Sequence, residues 1–273
     1  MYSGTTFRNK SGQLIGAHQK IDRVARRQLK PVLPAGVNFP TIRQILHFEG
    51  NNGPDGIKRK SPGKDELWHF IDPANPKKGQ MLAIIDDHLE NLAEALCQDN
   101  QERAAFEAAW LAHAIVDGLT PAHHYPLEEK LELLRGESMD TRVGVKQKLM
   151  VSGKSRRELV KNNWQLWGSK GVMTTHFLFE LGVATTIAGL KMSYARPTAD
   201  QLIRVEDNGL EPIFLDSLVR VHHLKMYEKF HKTGWTRTLA RDTRSQLAPT
   251  IVRTVTLSWY LAAIKAAKKR GLA

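Results

Sequence analysis

The chain contains a single cysteine, Cys97, in 273 residues. An intramolecular disulfide framework is therefore excluded, and so is a cysteine-based metal ribbon. Cys97 itself lies in AEALCQ at helical spacing, where a lone thiol reads as core. Several enzyme signatures are missing as well: there is no G-x-x-x-x-G-K-[ST], no H-E-x-x-H and no G-x-S-x-G. No run of about 18 apolar residues reads as a membrane span. The opening MYSGTTFRNKSGQ lacks the apolar segment of a secretory leader, so a cytoplasmic location is expected. Acidic residues are in deficit, with 28 Asp and Glu against 40 Lys and Arg, a net charge of +12. That balance suits polyanionic surroundings, and it serves solubility equally well.

Period-two alternation is also missing, which leaves no basis for a sheet. Apolar residues recur at three and four almost throughout. The expected fold class is all-α, a single multi-helix bundle domain over residues 1–273. GAHQKIDRVARRQL reads as a helix stopped by Lys30-Pro31, and TIRQILHFEG as a short helix. Gln80 to Cys97 and Asn100 to Gly118 read as two longer helices. Residues 1–13 are polar and read as a loose N-terminus. NNGPDGIKRKSPGKD reads as a long basic loop, and long loops inside compact domains are often functional.

What the chain does have is imidazole and carboxylate in a suggestive order. His113, Asp117 and His123 follow one another at spacings of four and six. The first two share a helix face, Thr120-Pro121 breaks that helix, and His123 returns just after the break. Burying an unpartnered carboxylate is expensive, and a cation removes the penalty. His176 and Glu180 repeat the spacing of four inside TTHFLFELGVATTIAG, whose other residues carry no charge. His18, Asp55 and His69 offer the same chemistry, although each alone also suits a core histidine or a turn aspartate. Imidazole nitrogen and carboxylate oxygen are zinc donors, and this set is enough for more than one ion. His47, His88, His124, His222, His223 and His231 have no comparable carboxylate spacing and read as structural or exposed.

In this order the residues resemble the zinc-dependent bacterial phospholipases C and the related single-strand-specific zinc nucleases. The resemblance rests on Gly16-Ala17-His18, Asp55, the HFIDP segment from His69 to Pro73, the run His113, Asp117, His123, and the pair His176, Glu180. It spans residues 14 to about 190, with an inserted helical pair expected at 127–165. It implies an all-helical hydrolase holding two or three Zn2+ ions. Asp55, His69, His113 and Asp117 would hold the first; His123, His176 and Glu180 the second; His18 and a bridging Asp117 the third. In the family an N-terminal Trp completes the third site, whereas this sequence opens with Met1 and has its first Trp at Trp68. Asp65 is a spare carboxylate that could replace Asp55.

The function so implied is hydrolysis of a phosphodiester by metal-activated water, with Asp55 as the catalytic carboxylate that orients or deprotonates it. The expected substrate is a phospholipid head group; single-stranded nucleic acid is the alternative, favoured by the basic stretches Lys58–Lys64 and Lys154–Arg157. A non-catalytic, metal-stabilised basic binding protein is a second alternative. Peripheral contact with anionic surfaces is a further expectation, with the C-terminal KAAKKRG as its first candidate.

Overall fold

A computed structural model describes residues 1–2, 16–60, 70–138 and 141–272 of the chain. Among them every regular element is helical, so the fold is all-α. The centre is built from α1 (Ala17–Leu29), α4 (Met81–Cys97), α5 (Gln101–Gly118) and α14 (Ala248–Lys269). Short α2 (Ile42–His47) and α3 (Pro54–Lys60) separate the first two of these. Helices α4 and α5 form a hairpin whose turn places Asp99 at φ 54°, and the Asn100 side chain accepts a hydrogen bond from the Arg103 amide to start α5. Helix α5 is rich in alanine and buried along most of its length. Small side chains let α14 approach closely, and the fully buried Trp259 donates its indole N–H to the Ala108 carbonyl at 2.9 Å.

The second layer comprises α9 (Val172–Ile187), α10 (Ala199–Asn208), α11 (Glu211–His223), α12 (Met226–Thr233) and α13 (Arg237–Asp242). Their starts follow the sequence: Thr198 forms a capping box with Gln201, and Thr236 accepts from the Leu239 amide. A π-helical turn, Thr243–Leu247, joins α13 to α14 in one helical run, Arg237–Lys269. That run is long and apolar enough to cross a membrane, with a mean hydropathy of 1.3 in its most apolar window. The sequence analysis expects no such span, because Arg253 and Lys265 interrupt the apolar run. Within this fold 89% of the window is buried, and the helix serves as the core.

Between α5 and α9 lie α6 (Leu127–Arg135), α7 (Lys146–Leu149) and α8 (Arg156–Trp167). The expected inserted pair is thus three elements, ending two residues later than expected. They enclose a small apolar cluster of their own, Leu127, Leu131, Val151 and Leu166, which packs on Phe70, Tyr125, Val172 and Met173.

Two sequence expectations need correction. Met1 and Tyr2 are not loose: Met1 is buried, and the Tyr2 carbonyl accepts from the Ala17 amide at 2.7 Å. The remainder of the polar N-terminus, 3–13, lies outside the described residues. The segment around Asp55 is not a loop but the first turn of α3, entered through a 3-10 turn at Gly50–Asn52. Pro54 at the first helical position and Asp55 beside it are helix-starting residues, and here that preference prevails over their turn preference. Residues 61–69, which include Asp65, Trp68 and His69, lie outside the described residues.

Candidate metal centre

Helix α5 supplies the middle of the site. His113 and Asp117, one turn apart, both point inward, with the His113 Nε2 3.4 Å from Asp117 Oδ2. Helix α1 lays His18 against them: its ring stacks on that of His113 at 3.9 Å, and its Nε2 lies 3.3 Å from Asp117 Oδ1. From the start of α3, Asp55 comes within 3.7 Å of His113 Nε2. His18, Asp55 and His113 thereby offer three donor atoms within 4.8 Å of one another.

Beyond the end of α5, the Thr120 hydroxyl donates to the Val116 carbonyl and the His123 amide donates to the Thr120 carbonyl. This 3-10 turn, started by Pro121, swings His123 back toward the helix end. Its Nδ1 is 3.8 Å from Asp117 Oδ2, and its Nε2 is 2.8 Å from Glu180 Oε1. On α9, His176 Nε2 is 3.0 Å from the same Glu180 oxygen. His123, His176 and Glu180 form a second set of three donors within 4.8 Å of one another. Asp117 stands between the two sets, one oxygen toward His18 and the other toward His113 and His123. Of the eight residues expected from sequence, seven converge here. The eighth, His69, lies outside the described residues; Phe70, next in the chain, packs on His123 with ring centres 5.2 Å apart.

Three participants were not foreseen. The α-ammonium of Met1 donates to Asp117 Oδ1 and lies 3.3 Å from Glu180 and 3.4 Å from His123. Glu49, wholly buried, comes within 3.4 Å of His113 Nδ1. Asp22 is also wholly buried, one turn beyond His18, and neither of its oxygens has a hydrogen-bond partner among the described residues. Its spacing from His18 equals that of Asp117 from His113, so the signal was present in the sequence. Glu49 and Met1 carry no local signal.

The electrostatics follow from burial opposed by charge. Burial alone would lower the Met1 amine, but Asp117, Glu180 and Asp55 raise it to about 10. Desolvation likewise opposes protonation of His113, yet Asp117, Glu49 and Asp55 together hold it well above the ordinary histidine range. Desolvation pushes Asp22 well above the usual carboxylate range, and nearby Glu49 pushes it further. Desolvation would raise Glu180 too, but the Met1 ammonium and His176 hold it well below that range. Asp55, about one-third exposed, is pulled below it by His113 against its desolvation. His123 is lowered by desolvation.

The donors are of a kind that could hold a divalent metal ion. They are imidazole nitrogens and carboxylate oxygens in two compact groups, and both ring nitrogens of buried His18 and one oxygen of buried Glu49 have no hydrogen-bond partner among the described residues. A cleft of about 550 Å³ opens beside His123, lined among others by Phe70, Asp72, Lys78 and Tyr125. His88, read from sequence as lacking a carboxylate, has one across the α4–α5 hairpin: its Nδ1 is 2.5 Å from buried Glu107, which also pairs with Arg103 at 2.5 Å. No protein-family model matches this chain, and no curated protein matches its sequence.

Proposed function

We propose that the chain is a zinc-dependent phosphodiester hydrolase resembling the phospholipases C. The observation that carries this reading is the convergence of His18, Asp55, His113, Asp117, His123, His176 and Glu180, from α1, α3, α5, its following turn and α9, on one buried centre beside a cleft. His18, Asp55, His113 and Asp117 would hold one ion or two, and His123, His176 and Glu180 another. Zinc bound there would supply Lewis-acid stabilisation of the charge that grows on a phosphoryl oxygen.

The chain's own groups have distinct parts in this reading. Asp55 is the most accessible carboxylate of the first group, and its low proton affinity suits it to orienting water by accepting a hydrogen bond. Lys78, exposed at the cleft rim, would attract the phosphate, and Phe70 and Tyr125 would exclude water from the inner wall. The Met1 amine, close to Asp117, would be the group to complete a third site of the kind the resemblance implies.

Elemental analysis of the purified chain, followed by hydrolysis of bis-p-nitrophenyl phosphate, tests the proposal. Activity lost with chelator and restored by zinc is expected, as is loss of both metal and activity in Asp117→Asn. Metal without hydrolysis would instead favour the binding-protein reading. Parallel assays on phosphatidylcholine and single-stranded DNA separate the two substrate classes.

A further inference from the structure

The short helices between α5 and α9 expose apolar side chains that no part of the described chain covers. On α8, Val160 is 65% exposed, Trp164 69% and Trp167 42%. Their spacing of four and three places them in one stripe along the helix. Leu149 and Met150, each more than half exposed, extend this stripe sideways. The link is fixed: the Trp167 indole donates to the Leu149 carbonyl at 2.7 Å, and the Asn163 amide group bonds the Val151 main chain in both directions, at 2.8 and 3.1 Å. The patch is therefore a built surface on a packed subdomain. Large exposed aromatic and aliphatic side chains in one place mark an interaction site.

The charge along this segment is predominantly positive, whereas acids of the subdomain, among them Glu129, Glu132 and Glu137, belong to α6 and the turn after it. Residues 143–172 contain Lys146, Lys148, Lys154, Arg156, Arg157, Lys161 and Lys170 against the single acid Glu158. Glu158 is committed locally, accepting from the Lys154 amide while its own amide bonds the Ser155 hydroxyl. Arg156, Arg157 and Lys161, all exposed, form no ion pair among the described residues. The C-terminal helix differs: Lys265 and Lys269 are paired with Glu90 and Glu94 on α4. The cations of KAAKKRG are thus partly engaged, and the free ones border the apolar stripe of α8.

We infer that α8 and the adjoining Leu149–Met150 segment form a docking surface for anionic phospholipid bilayers. Tryptophan and aliphatic side chains beside unpaired Lys and Arg match an interface of head groups over acyl chains. Single-stranded nucleic acid would satisfy the cations but offer nothing to Val160, Leu149 and Met150. A second copy would bring two surfaces of like charge together. The surface is distinct from the candidate metal centre but joined to it: Leu166 on the inner face of α8 packs with Val172, Met173 and Phe70, and Phe70 lies against His123.

Flotation of the chelator-treated 273-residue chain with vesicles tests this without reference to hydrolysis. It is expected to float with phosphatidylcholine–phosphatidylglycerol vesicles, weakly with phosphatidylcholine alone, and less at high salt. Tryptophan emission should shift blue and be quenched by brominated acyl chains. Arg156→Gln/Arg157→Gln/Lys161→Gln is expected to weaken partitioning about 100-fold, at roughly fivefold per charge. Trp164→Ala/Trp167→Ala should weaken it at least about tenfold. Val160→Asp, at a more exposed position than Trp167, gives an independent reading if the Trp variant does not fold. Wild-type protein left in the dense fraction would overturn the inference, as would variants that float unchanged. So would lipid-free dimers that Val160→Asp dissociates, or single-stranded DNA binding with the same dependence on Trp164. Zinc content and esterase assays are read separately, so failure of the docking surface and failure of the hydrolase reading are distinct results.

Discussion

Adding zinc to the metal-free chain should raise its thermal midpoint by an amount the two donor groups set. A ligand that binds only the folded state at a thousand times its dissociation constant stabilises by about 4 kcal/mol. Unfolding entropy of about 2.1 cal/mol/K per residue gives roughly 0.6 kcal/mol/K for 273 residues. Each ion should therefore raise the midpoint by about 7 °C, and one ion in each donor group by about 14 °C. Asp117 stands between both groups, whereas Glu180 belongs to the second. Asp117→Asn is thus expected to lose most of the zinc-induced rise, and Glu180→Gln about half of it. Calorimetry of each variant with zinc and with chelator reads the difference within one protein, which cancels any change in metal-free stability. A wild-type rise under about 2 °C, or an undiminished rise in Asp117→Asn, would refute the shared centre.

Three further outcomes follow from single groups. With the Met1 amine free and no metal bound, its proton affinity is raised from about 8 to about 10, so the folded state holds a proton the unfolded state has lost. The resulting stability, up to about 3 kcal/mol, is complete below pH 8 and lost as pH rises through 10; urea midpoints should show it and N-terminal acetylation should abolish it. His124 behaves oppositely, since burial lowers it to about 4 and the unfolded chain takes the proton first. Stability is lost as pH falls below about 6.5, by roughly 2 kcal/mol at pH 5, a loss that His124→Gln should lack in the same urea titration. At Gly182 a Cβ would stand 2.4 Å from the Trp235 ring, so Gly182→Ala should cost about 1–3 kcal/mol by overpacking despite better helix propensity.

The helical architecture and the site were legible in different degrees, for physical reasons. The pairs His113–Asp117 and His176–Glu180 were readable because one helical turn fixes their common face, and the structure brings both pairs inward. His18 is a candidate ligand from sequence, whereas Asp22, one turn beyond it at the same spacing, lies outside the resemblance and was not singled out. Asp55 stands at a helix start where the sequence pattern predicts a loop, since Pro and Gly punctuate turns and helix starts alike. Glu49 and the Met1 amine were beyond reach, because their approach to His113 and Asp117 depends on tertiary packing across distant segments. The stripe Val160, Trp164, Trp167 shows the opposite failure of pattern. Periodicity marks a face as apolar without saying which side covers it, and here nothing in the described chain does.

Helix α5 itself distinguishes a structural acid from a receptive one. It is buried along most of its length yet carries Glu107, His113 and Asp117 inward. Burying a carboxylate is tolerated only with compensating charge or hydrogen bonds. Glu107 receives both from its own neighbours, Arg103 one turn earlier and His88 across the hairpin, each at 2.5 Å. The arrangement is closed, and an added cation would have to displace an arginine. Two turns further on, Asp22, Glu49, Asp55, Asp117 and Glu180 gather around imidazoles and the Met1 amine, and these groups supply the ion pairs seen for Asp55, Asp117 and Glu180 among the described residues. Imidazoles can give up their protons to become donors, which a guanidinium cannot. The same helix therefore neutralises one acid with an arginine and surrounds the other with groups that would release protons if a metal were bound, and that difference, more than the number of histidines, makes the second region the candidate centre.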